Sequence, residues 1–182
     1  MPAEPLSPEP SDAGATAAAT TAADHPGVAR FRAEHRRLGG TGRIVVLPDA
    51  VHTAALAAEA LGCEVGAIAN SLVFDTGEGP VLVLTSGSHR VDTAATAARI
   101  GVPRLRRASP DFVREHTGQV IGGVSPLAHP APVPTYLDRA LAEHAVVWAA
   151  AGHPAAVFST TYAELLALTG AHEVEVGPEA SA

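Results

Sequence analysis

The nine-residue segment Gly-Gly-Val-Ser-Pro-Leu-Ala-His-Pro at 122–130 combines residue types that suit chemistry. Gly122 and Gly123 leave their backbone N–H groups bare, and such groups can hold a developing oxyanion. Pro126 fixes its own φ and restrains the serine before it, so we expect a rigid loop. His129, three residues further on, is a candidate proton carrier. The same nine residues also suit an ordinary turn.

Several standard catalytic patterns are missing from the sequence. The segment 123–127 lacks the second glycine of a nucleophile elbow, and no phosphate-binding glycine motif precedes a helix. None of the nine histidines pairs at the i, i+4 spacing of a helical zinc motif. Cys63 is the only cysteine, which excludes an internal disulfide and a cysteine-based metal cluster. We therefore predict neither a bound metal nor a cofactor.

Composition indicates one globular domain. The chain has 182 residues, 47% of them hydrophobic, and no apolar run approaches the roughly 18 residues of a membrane span. The N-terminus has no basic region of a secretory signal, so we expect a cytoplasmic protein that does not bind membranes.

Charge is unevenly distributed along the chain. The net charge is −7, but the acidic excess lies in the two tails, and all 12 basic residues are arginines between Arg30 and Arg139. No lysine is available as an amine nucleophile. One arginine cluster lies at 30–37 and another at 104–107, and each is either a phosphate-binding surface or a solvated face.

The hydrophobic pattern predicts an alternation of helices and short strands. Helices are predicted at 28–38, 51–61, 93–100 with an Asp92 cap, 110–116 with a Ser109 cap, and through 168 with a Thr160 cap. Strands are predicted at 44–47, 70–74, 81–84, 102–105, 135–137, 146–150 and 156–158. We expect a disordered tail at 1–24, one domain at 25–170 and a frayed acidic tail at 171–182.

Because strands outnumber helical crossovers, a simple doubly wound sheet fits this order poorly. We predict the α+β class, with a mixed, curled or barrel-like β-sheet and helices packed outside it.

Four spaced blocks resemble the YbaK / prolyl-tRNA-synthetase-associated editing domain family, over about residues 25–170. They are His52-Thr53-Ala54, Ala69-Asn70-Ser71-Leu72-Val73-Phe74, Val81-Leu82-Val83-Leu84-Thr85-Ser86-Gly87 and Gly122-Gly123-Val124-Ser125-Pro126. The resemblance implies a YbaK-like fold and hydrolysis of the ester that joins a wrong amino acid to tRNA. The substrate it implies is a tRNA for proline carrying alanine or cysteine. The partners it implies are the aminoacylated 3′ end of tRNA and a prolyl-tRNA synthetase.

The resemblance and the residue chemistry together give a set of candidate site residues. Candidate catalytic residues are Asn70, Gly122, Gly123 and His129. Candidate substrate-binding residues are His52, Thr53, Ser71, Ser86, Gly87, Ser125 and Pro126. Candidate RNA-binding residues are Arg90, Arg104, Arg106 and Arg107.

The chain departs from the family pattern at Asn70, where well-known editing members have a lysine. An asparagine amide can donate a hydrogen bond but carries no charge. Two further functional classes therefore stay open beside the editing enzyme. One is a module that binds an aminoacyl or nucleotide-like ligand without cleaving it, and the other is a hydrolase of a different small ester.

Overall fold

The computed structural model describes residues 22–47 and 53–177. Within these ranges the chain forms five α-helices, eight strands and three short 3₁₀ helices. The α-helices are α1 (Pro26–Arg37), α2 (Ala54–Leu61), α3 (Thr93–Ile100), α4 (Pro110–Thr117) and α5 (Tyr162–Thr169). The strands are β1 (Ile44–Val46), β2 (Ile68–Asp75), β3 (Pro80–Ser86), β4 (Arg106–Arg107), β5 (Thr135–Asp138), β6 (Val147–His153), β7 (Ala156–Thr160) and β8 (His172–Val174). The 3₁₀ helices span Ala22–Asp24, Val65–Ala67 and Arg139–Glu143.

The strands form one mixed sheet in the order β1-β7-β6-β2-β3-β5-β8, with β4 also paired to β2. The pairs β2–β6, β3–β5 and β5–β8 are parallel, and the remaining pairs are antiparallel. The predicted hairpin is confirmed, because β2 and β3 pair from Ala69 opposite Ser86 to Asp75 opposite Pro80. The predicted α+β class with a mixed sheet is confirmed.

Apolar side chains fill three clusters around this sheet. The largest joins α1, α4 and α5 to one face of the sheet through residues such as Phe31, Leu84 and Phe158. A second lies between the sheet, α3 and β8, and a third lies under α2 around Trp148. The helices thus cover the faces of the sheet, and openings in the sheet can form where a strand edge is left unpaired.

Helix ends follow the predicted capping chemistry. The Asp92 carboxylate accepts hydrogen bonds from the N–H groups of Ala94 and Ala95, and Ser109 accepts one from Phe112. The last helix differs by one position, because Thr161 rather than Thr160 accepts from the Glu164 N–H. Thr160 instead donates its hydroxyl to the Glu164 carboxylate at 2.7 Å.

Two segments correct the sequence prediction. Residues 102–105 form no strand, because this run packs inward beside α3, with Leu105 buried, and only the next two residues reach the edge of β2. In the segment expected to fray, residues 172–174 form β8 on the edge of β5. Val174 and Val176 are buried there, whereas the acidic residues that alternate with them are exposed. This alternation of acidic and apolar residues is typical of a strand at a sheet edge, and the sequence prediction wrongly interpreted it as an acidic tail.

No helix in the described residues is both long and apolar enough to cross a membrane.

His35 is a buried histidine of the main cluster. It is 5% exposed, its ring lies 5.4 Å from that of Phe31 and 5.3 Å from that of Phe158, and its Nε2 has no hydrogen-bond partner. Burial lowers the pKa of His35, and the nearby Glu164 carboxylate only partly opposes this. Burial also lowers the pKa of His129 and of His153.

These lowered pKa values predict a loss of stability in mild acid. The unfolded histidines take up protons below about pH 6.5, whereas the folded ones resist protonation. The free energy of unfolding should therefore fall as the pH drops from 7.5 to 5.5. Urea titrations at both pH values would measure this fall.

A His35→Gln variant should be less stable at pH 7.5 by about 1–3 kcal/mol, because it loses ring packing and buries an amide. Its further loss between pH 7.5 and 5.5 should be smaller than that of the wild type. The exposed His172, changed to Gln, is the matched control. An equal acid-dependent loss in the wild type and His35→Gln would contradict this explanation.

Candidate functional site

Strand β2 is paired along the whole of one edge but only at the two ends of the other. On the second edge β6 pairs with Ile68 and Ala69, and β4 pairs with Phe74 and Asp75. No strand of the described chain pairs with this edge at residues 70–72. The sheet is therefore open at the middle of β2.

Backbone groups of Ser71 face this opening. The Ile68 carbonyl accepts a hydrogen bond from the Gly87 N–H on the β3 side, and the Val73 carbonyl accepts one from Ala108 on the other side. Because main-chain groups alternate in direction along a strand, the N–H and C=O of Ser71 point the same way as those of Val73. Since no described residue bonds to these two groups, the opening presents one main-chain donor and one acceptor.

A cleft of about 550 Å³ lies over the opening. Its described lining comprises Thr53, Ala54, Ala57, Ile68, Ala69, Asn70, Ser71, Leu72, Arg90, Arg107, Ile121, Gly122, Val124, Trp148, Ala149, Ala150, Pro154 and Val157. The Asn70 amide has no hydrogen-bond partner among the described residues, and the Ser71 Oγ is buried and also unpaired. Two polar side chains of the cleft lining thus have no hydrogen-bond partner within the described part of the chain.

The electrostatics of the cleft favour an anion. Arg90 and Arg107 line it, both are exposed, and neither forms an ion pair within the described chain. The described lining contains no aspartate, glutamate or histidine. Thr53 caps α2 by accepting from the Leu56 N–H at 3.2 Å, so the positive end of that helix dipole also meets the cleft.

The glycine-rich loop reaches the cleft through Gly122, and it follows α4 rather than a strand. Gly122 has φ of +88°, which an L side chain adopts at a cost. Its N–H has no partner among the described residues, whereas the Gly123 N–H donates to the Val120 carbonyl at 3.0 Å. The predicted pair of oxyanion donors is thus reduced to Gly122.

Gly123 has a packing role instead. A Cβ on this residue would lie 2.8 Å from the backbone of His153 and Pro154, in the turn between β6 and β7. Only glycine allows the loop to approach that turn so closely. Gly123 therefore fixes the distance between the loop and the cleft wall at Pro154.

Buried polar groups hold this loop in place. The Gln119 side chain donates to the Leu127 carbonyl at 3.1 Å and accepts from the Ser125 N–H at 2.7 Å. The Ser125 hydroxyl donates to the same Leu127 carbonyl, and the His129 Nε2 lies 2.8 Å from the Ser125 carbonyl. Since a carbonyl only accepts, His129 carries its proton on Nε2. Ser125 is fully buried, so in this structure it positions the loop.

His129 and Pro126 line a different cleft, of about 860 Å³, between α1 and the proline-rich segment before β5. The arginines of that cleft are engaged. Arg37 pairs with Glu34 at 2.7 Å, and Arg30 donates to the Gly118 carbonyl at 3.3 Å. The structure therefore does not bring His129 together with Asn70. Burial lowers the pKa of His129.

Two further predicted binding residues are structural in their contacts. Ser86 is fully buried and donates its hydroxyl to the Gly66 carbonyl at 2.8 Å. A Cβ on Gly87 would clash with the Val65 carbonyl oxygen and lie 2.8 Å from the Ala54 Cβ, so this glycine lets Val65 and the first turn of α2 approach the end of β3. Both residues support the cleft wall rather than line it. His52 lies outside the described residues.

The second arginine cluster divides between two environments. Arg106 contacts the Asp75 carboxylate at 2.9 Å and Arg104 contacts it at 3.6 Å, whereas Arg107 faces the cleft. The Gly77 N–H and these two arginines hold the pKa of Asp75 below its usual range. The described residues contain no group of three or more histidine, cysteine, aspartate or glutamate side chains arranged for a metal ion.

Sequence reasoning missed Asp138, which is 1% exposed. Its carboxylate accepts from the Ser86 N–H and the Thr85 hydroxyl, and it lies 3.0 Å from the His89 Nδ1. It also caps the following 3₁₀ helix through the Ala140 N–H. The helix cap was predictable from sequence, because Asp138 is an aspartate at the end of a strand. Its contacts with Ser86 and His89, in the segment before Arg90, were not, because they depend on the parallel pairing of β3 and β5.

Known proteins are similar to this chain in fold and in sequence. Residues 48–168 match the aminoacyl-tRNA editing domain family. A candidate trans-editing enzyme for prolyl-tRNA synthetase has a crystal structure with a TM-score of 0.78 and 44% identity, covering 85% of this chain and 98% of that one. A hypothetical protein of known crystal structure has a TM-score of 0.74 and 28% identity, covering 81% of this chain and 98% of that one.

A curated relative is the uncharacterized protein YwhH of Bacillus subtilis (strain 168), 37% identical over 113 residues. The match covers 60% of this chain and 69% of that protein. The matched family region contains the opened part of β2, the glycine-rich loop and both cleft arginines. The chain belongs to the aminoacyl-tRNA editing domain family.

Proposed function

We propose that this protein is a free-standing editing enzyme that hydrolyses the ester between a wrong amino acid and a tRNA for proline, with alanine or cysteine as the amino acid. The observation that carries the proposal is the opened edge of β2. The cleft at this edge is lined by Asn70, Ser71 and Gly122 and by two arginines, and within the described chain the Asn70 amide, the Gly122 N–H and both guanidinium groups have no partner. Such a cleft suits a neutral polar ester attached to phosphates.

The reaction needs positioning more than a strong nucleophile, because an aminoacyl ester is already activated. Water attacks the carbonyl carbon, the bond from that carbon to the ribose oxygen breaks, and a proton passes from the water to the ribose oxygen. The products are the free amino acid and tRNA with a free hydroxyl. The Gly122 N–H holds the oxyanion, a contribution worth about 2.7–4 kcal/mol per donor in other hydrolases.

Asn70 orients the substrate in this mechanism. Its amide supplies a donor and an acceptor beside the open backbone of Ser71, so it can fix the ribose or the amino group of the ester. Arg90 and Arg107 bind phosphates of the tRNA end, where an exposed guanidinium can engage two oxygens at once. The tRNA itself, and a prolyl-tRNA synthetase that releases it, are the proposed partners in the cytoplasm.

Deacylation of alanyl- and cysteinyl-tRNA for proline by the purified protein tests the proposal. The wild type should release the amino acid faster than uncatalysed hydrolysis. A Gly123→Ala variant should lower kcat/KM by about 10–100-fold, because the new methyl group displaces the loop and with it the Gly122 donor. Release of radiolabelled amino acid measures both rates.

The matched control is Gly177→Ala, where a Cβ meets nothing within 4 Å, and it should keep wild-type activity. Activity only in an Asn70→Lys variant would favour the binding module without catalysis. No activity in either protein would reject the editing enzyme for these substrates.

Arginine substitutions separate a tRNA substrate from a small ester. Arg107→Gln and Arg90→Gln should each weaken tRNA binding and reduce the slope of log Kd against log salt concentration by about one. Arg114→Gln, an exposed arginine on α4 outside the cleft, should leave the slope unchanged. Filter binding at several salt concentrations measures this. A salt-independent affinity would favour a hydrolase of another small ester.

A further inference from the structure

Two buried polar side-chain atoms in the described chain lack a hydrogen-bond partner, His35 Nε2 and Ser71 Oγ. His35 lies between aromatic rings and lines none of the described cavities. Ser71 lines the cleft and also a smaller recess that adjoins it. A buried hydroxyl without a hydrogen-bond partner destabilises a protein. Because this hydroxyl lies beside a cavity, a ligand group in the cavity could form the missing hydrogen bond.

The recess is small, and most of its lining residues are apolar, with Ser71 and Arg107 as the polar ones. Its volume is about 50 Å³, and its lining is Ser71, Leu72, Val73, Phe74, Arg107, Ala108, Val113, Ile121 and Val124. Ile121, half-exposed, and Val124 belong to both the recess and the main cleft. Ser71, Leu72 and Arg107 also line both, so the recess adjoins the cleft at Ser71.

Size restricts what the recess can hold. A single water needs roughly 10–15 Å³ of such space, and benzene fills a cavity of about 150 Å³. The recess therefore accepts a group of one or two heavy atoms and excludes rings and branched chains. Among the described residues no group pairs with the Ser71 hydroxyl, so a ligand group that enters the recess can supply the partner.

We propose that this recess binds the amino-acid side chain of the substrate and that Ser71 is its specificity-determining residue. The preferred substrate is then an ester of a small amino acid with a hydroxyl or thiol on its β-carbon, serine or cysteine, rather than alanine. This inference rests on the proposed function, because it assigns the side-chain subsite of the same cleft.

The chemical reason is the pairing of the Ser71 hydroxyl. A serine hydroxyl both donates and accepts, so it can pair with either a substrate hydroxyl or a thiol. An alanine methyl group fills part of the same space but leaves the hydroxyl unpaired. When only the correct substrate can form a hydrogen bond with a buried polar group of the site, an analogue that lacks the bonding group reacts more slowly.

The test compares one tRNA for proline charged with serine, cysteine or alanine, each corrected for uncatalysed hydrolysis. The wild type should cleave the seryl or the cysteinyl ester with a kcat/KM about five- to tenfold above that for the alanyl ester. Ser71→Ala should bring this ratio close to one. Ser88→Ala, a loop serine outside the described lining of the recess and the cleft, should keep the wild-type ratio.

Stability provides a second readout. Ser71→Ala removes an unpaired hydroxyl and should unfold at the same temperature as the wild type or higher. A marked loss of stability would show that the hydroxyl has a structural partner and would overturn the inference. So would a ratio that Ser71→Ala leaves unchanged, or a wild type that prefers the alanyl ester. Cleavage of none of the three esters would reject the proposed function itself.

Discussion

The site depends on one constraint of the sheet, the incomplete pairing of β2. This strand pairs with β3 along its length, which holds it rigidly, while β6 and β4 occupy only the two ends of its other edge. Exposed strand edges usually attract further strands. Here the glycine-rich loop and the start of α2 flank the gap, so the free backbone opens into a cleft rather than onto a flat surface.

Hydrogen bonds and close packing around the cleft hold its walls in place, and the described lining contains no carboxylate. Gln119 and Ser125 hold the loop from beneath, and Gly123 sets its distance from the turn between β6 and β7. Asp138 ties the loop that carries Arg90 to the end of β5. The result is a cleft without carboxylates in its described lining and with two guanidinium groups, an arrangement that suits the phosphates and the ester of the proposed substrate.

Local signals in the sequence predicted much of this fold. Asp92 and Ser109 mark helix starts by their side-chain chemistry, and the hairpin between β2 and β3 follows from its turn residues. The site was predictable only in part, because clefts arise from non-local pairing. Asn70 and Gly122 do meet in one cleft, whereas His129, equally plausible in sequence, faces another one. Strand β8 was not predicted, because the segment that contains it is rich in acidic residues. A strand at the edge of a sheet needs an apolar side chain only at alternate positions.

The most direct test of the account is to map where an analogue of the proposed substrate, the aminoacyl end of tRNA, binds. Isotope-labelled protein would be titrated with 3′-alanylamino-3′-deoxyadenosine, whose amide bond replaces the labile ester, and backbone amide shifts followed by NMR. We predict the largest changes at residues 70–72 and at Gly122. Changes confined to α1 and the proline-rich segment around His129 would place the ligand in the larger cleft and contradict the central claim.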